Sequence, residues 1–268
     1  MDFFKREIAP VTDAAWSFIT EEAKRGLESG LSARKVVRVI GPLGLGHAAV
    51  GLGRLDVPDE QPLGGVRFGV HRVLPLVELL ASFELDIWEL DNASRGARDI
   101  DVDPLLRAAS DIAAVEERAV YEGLAPAGIR GMRQAARHPP VMLGSDAAAY
   151  PDAVARALIT LRDAEVPGPF ALVLGRKPFR ALGGASGAYP PRKQVEQILD
   201  GGPILLSSTI EGGFLVATGV DGLELTLGQD FALAYESHTS QTVKLCFTES
   251  FAFRVFDPTI YVPFGFGG

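Results

Sequence analysis

Apolar residues recur at helical spacing between residues 12 and 30, where Trp16, Ile19, Ala23 and Leu27 share one face. That spacing predicts an amphipathic helix, with Thr12 or Asp13 able to cap its start and Gly30 to end it. The stretch at 33–40, containing RKVVRVI, predicts a strand. Beyond it the period drops to two. Val66, Phe68 and Val70 alternate with Arg67, Gly69 and His71, and Phe83, Leu85 and Ile87 alternate with Ser82, Glu84 and Asp86. Together with the turn-rich tip PDEQPLGG at 58–65, this predicts a long hairpin arm. The arm is too long and too polar at its tip to pack wholly within one domain, so its unpaired edges call for a partner chain.

The clearest helix spans 103–124. Asp103 serves as its cap, Pro104 takes the first helical position, Leu106, Ala109, Ala113 and Val120 form an apolar face, and Gly123 lies near its end. Helices are also predicted at 150–164 and 193–201, with buried strands at FALVLG (170–175), ILLSST and GFLVATG. The last fifty residues are strand-rich, with Val243, Leu245 and Phe247 alternating against Lys244 and Cys246. The pattern is mixed α+β, and the section 134–222 can form a separate lobe.

Composition narrows the function classes. Of 268 residues, 47% are hydrophobic and 22% charged, which suits a folded, water-soluble protein. The net charge of −8 and the lack of a basic cluster argue against a nucleic-acid partner. Cys246 is the only cysteine, so neither an intrachain disulfide nor a thiolate zinc site can form, and a reducing cytoplasmic setting is expected. MDFFKREIAP places charges where a secretory signal needs an apolar run, and no segment is apolar enough to span a membrane.

Catalytic and cofactor motifs are few. Gly44-Leu-Gly46-His-Ala-Ala49 matches G-x-G-x-x-G/A, but Gly51, Gly53 and Pro58 leave no room for the helix that would hold a pyrophosphate. A mobile, glycine-rich hinge feeding the arm explains the same residues. His47, His71, His138 and His238 lack metal-ligand spacing, and no nucleophile elbow is present. No catalytic or metal residue is assigned. One or both of Glu116 and Glu117 are expected to face solvent or pair with arginine. Trp88 can stack on a flat ligand such as a flavin, or pack at a subunit contact.

Six blocks, in order, resemble the encapsulins, shell proteins once grouped with linocin-type bacteriocins. They are FFKREIAPVTDAAW, ARKVVRVIGPLG, PLVELLASFELDIWELDNASRG, VEERAVYEGLAPAGIRGM, GPFALVLG and the tail LGQDFALAYESHTSQTVKLCFTESFAFRV. The resemblance covers nearly the whole chain. It implies the fold of tailed-bacteriophage capsid proteins. The N-terminal helix and first part of a peripheral domain would occupy 1–45, and an extended loop interlocking with neighbours 46–80. The peripheral domain with its spinal helix would follow at 81–133, an axial domain at 134–222, and C-terminal peripheral strands at 223–268.

The resemblance further implies an icosahedral homo-oligomeric shell, a multiple of sixty subunits, enclosing a cargo enzyme. That cargo would be a dye-decolourising peroxidase or a ferritin-like iron-storage protein, docked by a C-terminal targeting peptide. No cofactor is required, and a flavin at Trp88 remains an alternative. Carried over by position, the peptide groove involves Leu31, Arg34 and Val36, with Leu233, Ala234 and Tyr235 opposite. Arg38, where many relatives are acidic, would make this groove more basic. Gly183, Gly184, Ala185, Ser186 and Gly187 would rim a five-fold pore with little charge selection. Two other readings stand beside the shell: a prophage-type coat protein packaging nucleic acid, and a secreted bacteriocin- or peptidase-like protein.

Overall fold

The computed structural model describes residues 3–60, 64–185 and 189–267. Chain order gives α1 (Asp13–Glu28), β1 (Arg38–Ile40), β2 (Ala49–Asp56), β3 (Val70–Pro75), β4 (Val77–Asp86), α2 (Ile87–Arg95), α3 (Asp103–Tyr121) and α4 (Met132–Ala135). There follow β5 (Val141–Leu143), α5 (Tyr150–Asp163), β6 (Phe170–Gly175), α6 (Arg176–Gly184), α7 (Pro191–Ile198), β7 (Ile204–Ser207) and β8 (Gly213–Ala217). The last four strands are β9 (Leu223–Leu227), β10 (Ala232–His238), β11 (Thr242–Val255) and β12 (Tyr261–Phe266).

Two five-stranded sheets and a separate two-stranded ribbon carry the architecture. In the first sheet β11 is the spine. Thr242–Phe251 pairs antiparallel with β4, while Val243–Thr248 pairs with β10 and Phe251–Val255 with β9. Between β9 and β10 the chain stays tied to β11: Gly228 N–H donates to Ser250 O, and Ser250 N–H to Gln229 O. The second sheet runs β5-β12-β8-β6-β7. Its C-terminal strand β12, grouped by sequence with the strands of 223–268, lies instead between β5 and β8, because its nearly continuous apolar run suits a central position.

Each sheet has its own apolar core, and two elements run through both. On α3, Leu105, Ala109 and Ile112 belong to one core, and Ala119, Val120 and Tyr121 to the other. On β11, Val243, Leu245 and Phe247 face the first, and Phe251 and Phe253 the second. Each such buried Leu or Phe contributes about 1.5–3 kcal/mol, so α3 and β11 weld the two halves.

Several boundaries differ from the sequence expectation. Residues 33–35 form a 3₁₀ turn and only Arg38–Ile40 is strand, because the carboxylate of Glu117 takes the Ala33 N–H that a strand would have to place elsewhere. Thr12 caps α1, accepting from Ala15 N–H, but Asp103 is the first residue of α3 rather than its cap; its own N–H donates to Asp101. Leu105, not Leu106, fills the core position. Ile87 opens α2 instead of ending a strand, since Asp86 caps that helix by accepting from Glu89 N–H. Residues 41–48 lead into β2 with no helix. Leu43 and Gly44 donate to Leu227 O and Gly228 O, so this glycine-rich entry to the arm is tethered, not loose.

Candidate functional site: the cleft between α1 and β10

The side of α1 bearing Ala23 and Leu27 leans toward β10, and between them opens a cleft of about 350 Å³. Leu31, Leu233 and Phe247 give it an apolar floor, and Lys24, Glu28 and Asp230 stand on its rim. The kink at Gly228–Asp230, where one edge of β11 passes from β9 to β10, places Asp230 and Phe231 in the wall. β10 is an edge strand, and the N-terminal segment lies along its outer side. Tyr235 N–H donates to Phe4 O at 2.9 Å, and Arg6 Nε to Leu233 O at 3.0 Å.

Of the six residues carried over by resemblance, Leu31, Arg34 and Leu233 line the cleft. Val36 belongs to the other apolar core, Ala234 is buried on β10 opposite Cys246, and Tyr235 reaches His238 Nδ1 at 2.6 Å. Asp230, Phe231, Lys24, Glu28 and Arg6 line it too, and the sequence reading missed them. Arg38 does not line it. Its ion pair with Asp221 lies on exposed β1, so it adds no charge to the groove.

Arg34 is not a free cation. Its guanidinium meets Glu116 at 2.6 Å, Glu249 at 2.7 Å and Asp230 at 2.9 Å, and it stacks over Phe231 at 4.7 Å. The side chain is 18% exposed. Burial opposes its charge, but the hydrogen bonds and charge of Glu116, with Glu249 and Asp230, outweigh that and hold its pKa above the ordinary value. Burial, reinforced by Glu116, pushes Glu249 well above the carboxylate range. The cleft wall is therefore a network in which three carboxylates hold one guanidinium, not a lone positive anchor.

Neither Glu116 nor Glu117 faces solvent; Glu116 pairs with arginine, as expected of at least one of the two, while among the described residues Glu117 makes no ion pair. Glu117 accepts from Ala33 N–H at 2.5 Å, Ser32 Oγ at 2.8 Å and Ser207 Oγ at 2.8 Å. Burial raises its pKa while these bonds oppose the rise. Arg34, Glu116, Glu117 and Glu249 thus form a polar belt where the two cores meet.

The remaining candidates lie apart. Gly183 and Gly184 end α6 and Ala185 follows it, so the first half of the expected pore rim is helical; Ser186 and Gly187 lie outside the described residues. Trp88 is 76% exposed on the first turn of α2 and does not line the α1–β10 cleft. His138 is held by Thr259 O at 2.9 Å. Burial, with Glu236 alongside, pushes the Cys246 thiol up to about 11, which leaves it protonated at neutral pH. Among the described residues no helix is long and apolar enough to cross a membrane.

A strut helix, a long shared strand, two sheets and a projecting ribbon make up a tailed-phage capsid fold. A virus-like particle protein from Pyrococcus furiosus superposes with a TM-score of 0.65 at 19% identity, covering 92% of this chain and 98% of that one. The chain from Mycobacterium phage Bobi superposes with a TM-score of 0.58 at 12% identity, covering 89% and 91%. Sequence carries the assignment further. The family described as "Encapsulating protein for peroxidase" matches residues 1–252, and this chain belongs to it, the encapsulins. The type 1 encapsulin shell protein of Rhodospirillum rubrum is 38% identical over 98% of this chain and 96% of its own length. That of Mycobacterium tuberculosis is 36% identical over 94% and 95%.

Proposed function

We propose that this chain is the shell subunit of a self-assembling, closed protein compartment that holds a cargo protein and has no catalysis of its own. The observation that carries this reading is the β2–β3 ribbon. Among the described residues its two strands pair only with each other, and most of both faces are exposed, including Leu52, Leu55, Val70 and Val73. A two-stranded ribbon with apolar side chains in water is marginal by itself. Contact between copies supplies both the missing strand edges and the missing burial, and closed symmetry then yields a shell. In this reading residues 134–222 gather around the five-fold axes, and the compartment resides in the cytoplasm.

The α1–β10 cleft is the docking place for an extended cargo peptide. Its apolar floor suits small apolar side chains, while Lys24, Glu28 and Asp230 at the rim suit polar ones. The cargo, a peroxidase or a ferritin-like protein, would present that peptide at its C-terminus. Negative-stain electron microscopy of the purified chain tests the shell reading. Uniform hollow particles are expected, and a monomer or dimer at micromolar concentration would overturn it.

A further inference from the structure

The cleft between α1 and β10 does not end freely. Along β10 its lining runs from Asp230 to Leu233, and there Arg6 closes it. Arg6 Nε donates to Leu233 O at 3.0 Å, and two residues further on Tyr235 N–H donates to Phe4 O at 2.9 Å. Residues two apart on a strand turn their backbone groups to the same side. Both bonds therefore lie on the edge that β11 leaves unpaired, and residues 3–8 form a strap across it. The strap covers this edge without becoming a strand. One of the two bonds uses a side chain. Between them Lys5 takes φ 53, the left-handed region that side chains rarely adopt, and Arg6–Ile8 then curls into a 3₁₀ turn. No residue of 3–8 is buried. Phe3 is 54% exposed and Ile8 48%. The ring of Phe4 meets that of Phe3, and neither belongs to an apolar core. A further hold is Arg6, which lies over the ring of Trp16 at 5.1 Å. A segment kept in place by so few, largely exposed contacts opens locally at low free energy.

An extended peptide fits this edge better than the strap does. Its backbone N–H donates to Leu233 O and its C=O accepts from Tyr235 N–H, which is the ladder of an added strand. We infer that the strap is a displaceable cover. A peptide seated in the cleft continues past Leu233 as a strand added to β10, and it lifts Arg6 and Phe4 to do so. This rests on the peptide-docking reading of the cleft and adds a closed state to it. The apparent affinity then falls in proportion to the fraction of subunits whose strap is open. Arg6 acts as a gate, not an anchor. Its removal strengthens peptide binding, the opposite of what the loss of a peptide contact would do.

Peptide binding tests it. Random C-terminal tails of about ten residues, enough to run the cleft and the edge, are selected by mRNA display on the dispersed full-length subunit. The tightest is synthesised as the probe. Fluorescence anisotropy gives its Kd for the unsubstituted chain, a deletion of residues 3–8, Arg6→Ala, and Leu31→Asp on the cleft floor, with circular dichroism reporting that each subunit is folded. The deletion should bind at least about tenfold tighter, and Arg6→Ala at least about threefold tighter. Methylating the probe's amide nitrogens one at a time should weaken binding at least about tenfold at one or more positions, because a methylated nitrogen cannot donate to Leu233 O. Should the deletion unfold the subunit, Arg6→Ala takes its place. Binding that Leu31→Asp abolishes but loss of the strap contacts does not tighten, or a methyl scan with no loss, overturns the strap and leaves the cleft reading standing. A probe indifferent to Leu31→Asp, or a selection that yields no binder, overturns the cleft reading and the strap with it.

Discussion

Removing the Glu117 carboxylate should expose how the two cores are joined. The residue is fully buried, and it ties the turn after α1 to α3 and to β7 through Ala33 N–H, Ser32 Oγ and Ser207 Oγ. In Glu117→Ala the two serines have other partners within reach: Tyr121 Oη lies 3.0 Å from Ser32 Oγ, and Thr209 Oγ1 lies 3.1 Å from Ser207 Oγ. The Ala33 N–H has no such substitute, and an orphaned buried donor costs about 1–3 kcal/mol. The lost side chain also leaves a cavity, worth about another 1–2 kcal/mol. A loss of about 3–5 kcal/mol is expected, a large part of the ~5–15 kcal/mol that holds a domain together.

Glu117→Gln separates hydrogen bonding from charge. Its amide oxygen still accepts from Ala33, and its NH₂ donates to hydroxyls that can accept as readily as donate. The cost at neutral pH should stay below about 1 kcal/mol. Because burial holds the folded pKa of Glu117 above its unfolded value, its contribution is complete below the unfolded pKa and is lost as pH rises through the folded one. The glutamine variant has no such loss. It should gain on the unsubstituted protein as pH climbs above the ordinary carboxylate range, then level off. Urea unfolding at fixed subunit concentration, followed by circular dichroism across pH, measures all three proteins. An alanine variant within about 1 kcal/mol of the parent, or a glutamine variant as damaged as alanine, would refute the reasoning.

Other perturbations follow from the same geometry. Arg34→Ala strands Glu116 and Glu249 without a cation and should cost about 3–5 kcal/mol at neutral pH. That loss should shrink on acidification, as Glu249, whose pKa burial and Glu116 already raise, takes up a proton; a pH-independent loss in urea titrations counts against it. A Cβ on Gly175 would lie 2.1 Å from Ile210 O, so Gly175→Ala should cost at least about 1–3 kcal/mol and lower Tm. An unchanged Tm would show that the backbone there yields freely. Trp88 is exposed and does not line the α1–β10 cleft, so flavin mononucleotide should bind the dispersed subunit no more tightly than it binds Trp88→Ala. Fluorescence quenching showing tenfold tighter binding by the parent would refute this and make Trp88 a flavin contact.

Periodicity made the apolar frame legible. Ile19, Ala23 and Leu27 on α1, the run FALVLG, and the alternation along β11 all fall where spacing alone puts them. Boundaries were lost where a distant side chain intervened. Ala33 reads as strand because nothing local reveals that Glu117, 84 residues away, takes its N–H. Asp86 caps α2 and cuts short an alternation that would otherwise run through Ile87. The capsid-type fold and the encapsulin family were readable from six ordered blocks, whereas the cleft was readable only in part. Leu31, Arg34 and Leu233 line it, but the positional match could not say that Val36 turns into the other core.

The polar belt did leave a trace in the sequence that a stricter use of period would have caught. On β11 the inward column is Val243, Leu245, Phe247, Glu249, Phe251 and Phe253, a carboxylate at a position where every neighbour in the column is apolar. On α3, Glu116 follows Ile112 by four residues and precedes Val120 by four, and Glu117 stands in the same relation to Ala113 and Tyr121. Three carboxylates on inward faces cannot all be left unpaired, because an isolated buried charge costs far more than a domain's net stability can absorb. Hydrogen-bond donors and at least one cation had therefore to converge on the point where α3 crosses β11. Arg34 and Ser32, in the turn that follows the first helix, are the residues that do so, and their fixing of that turn also sets the wall of the α1–β10 cleft.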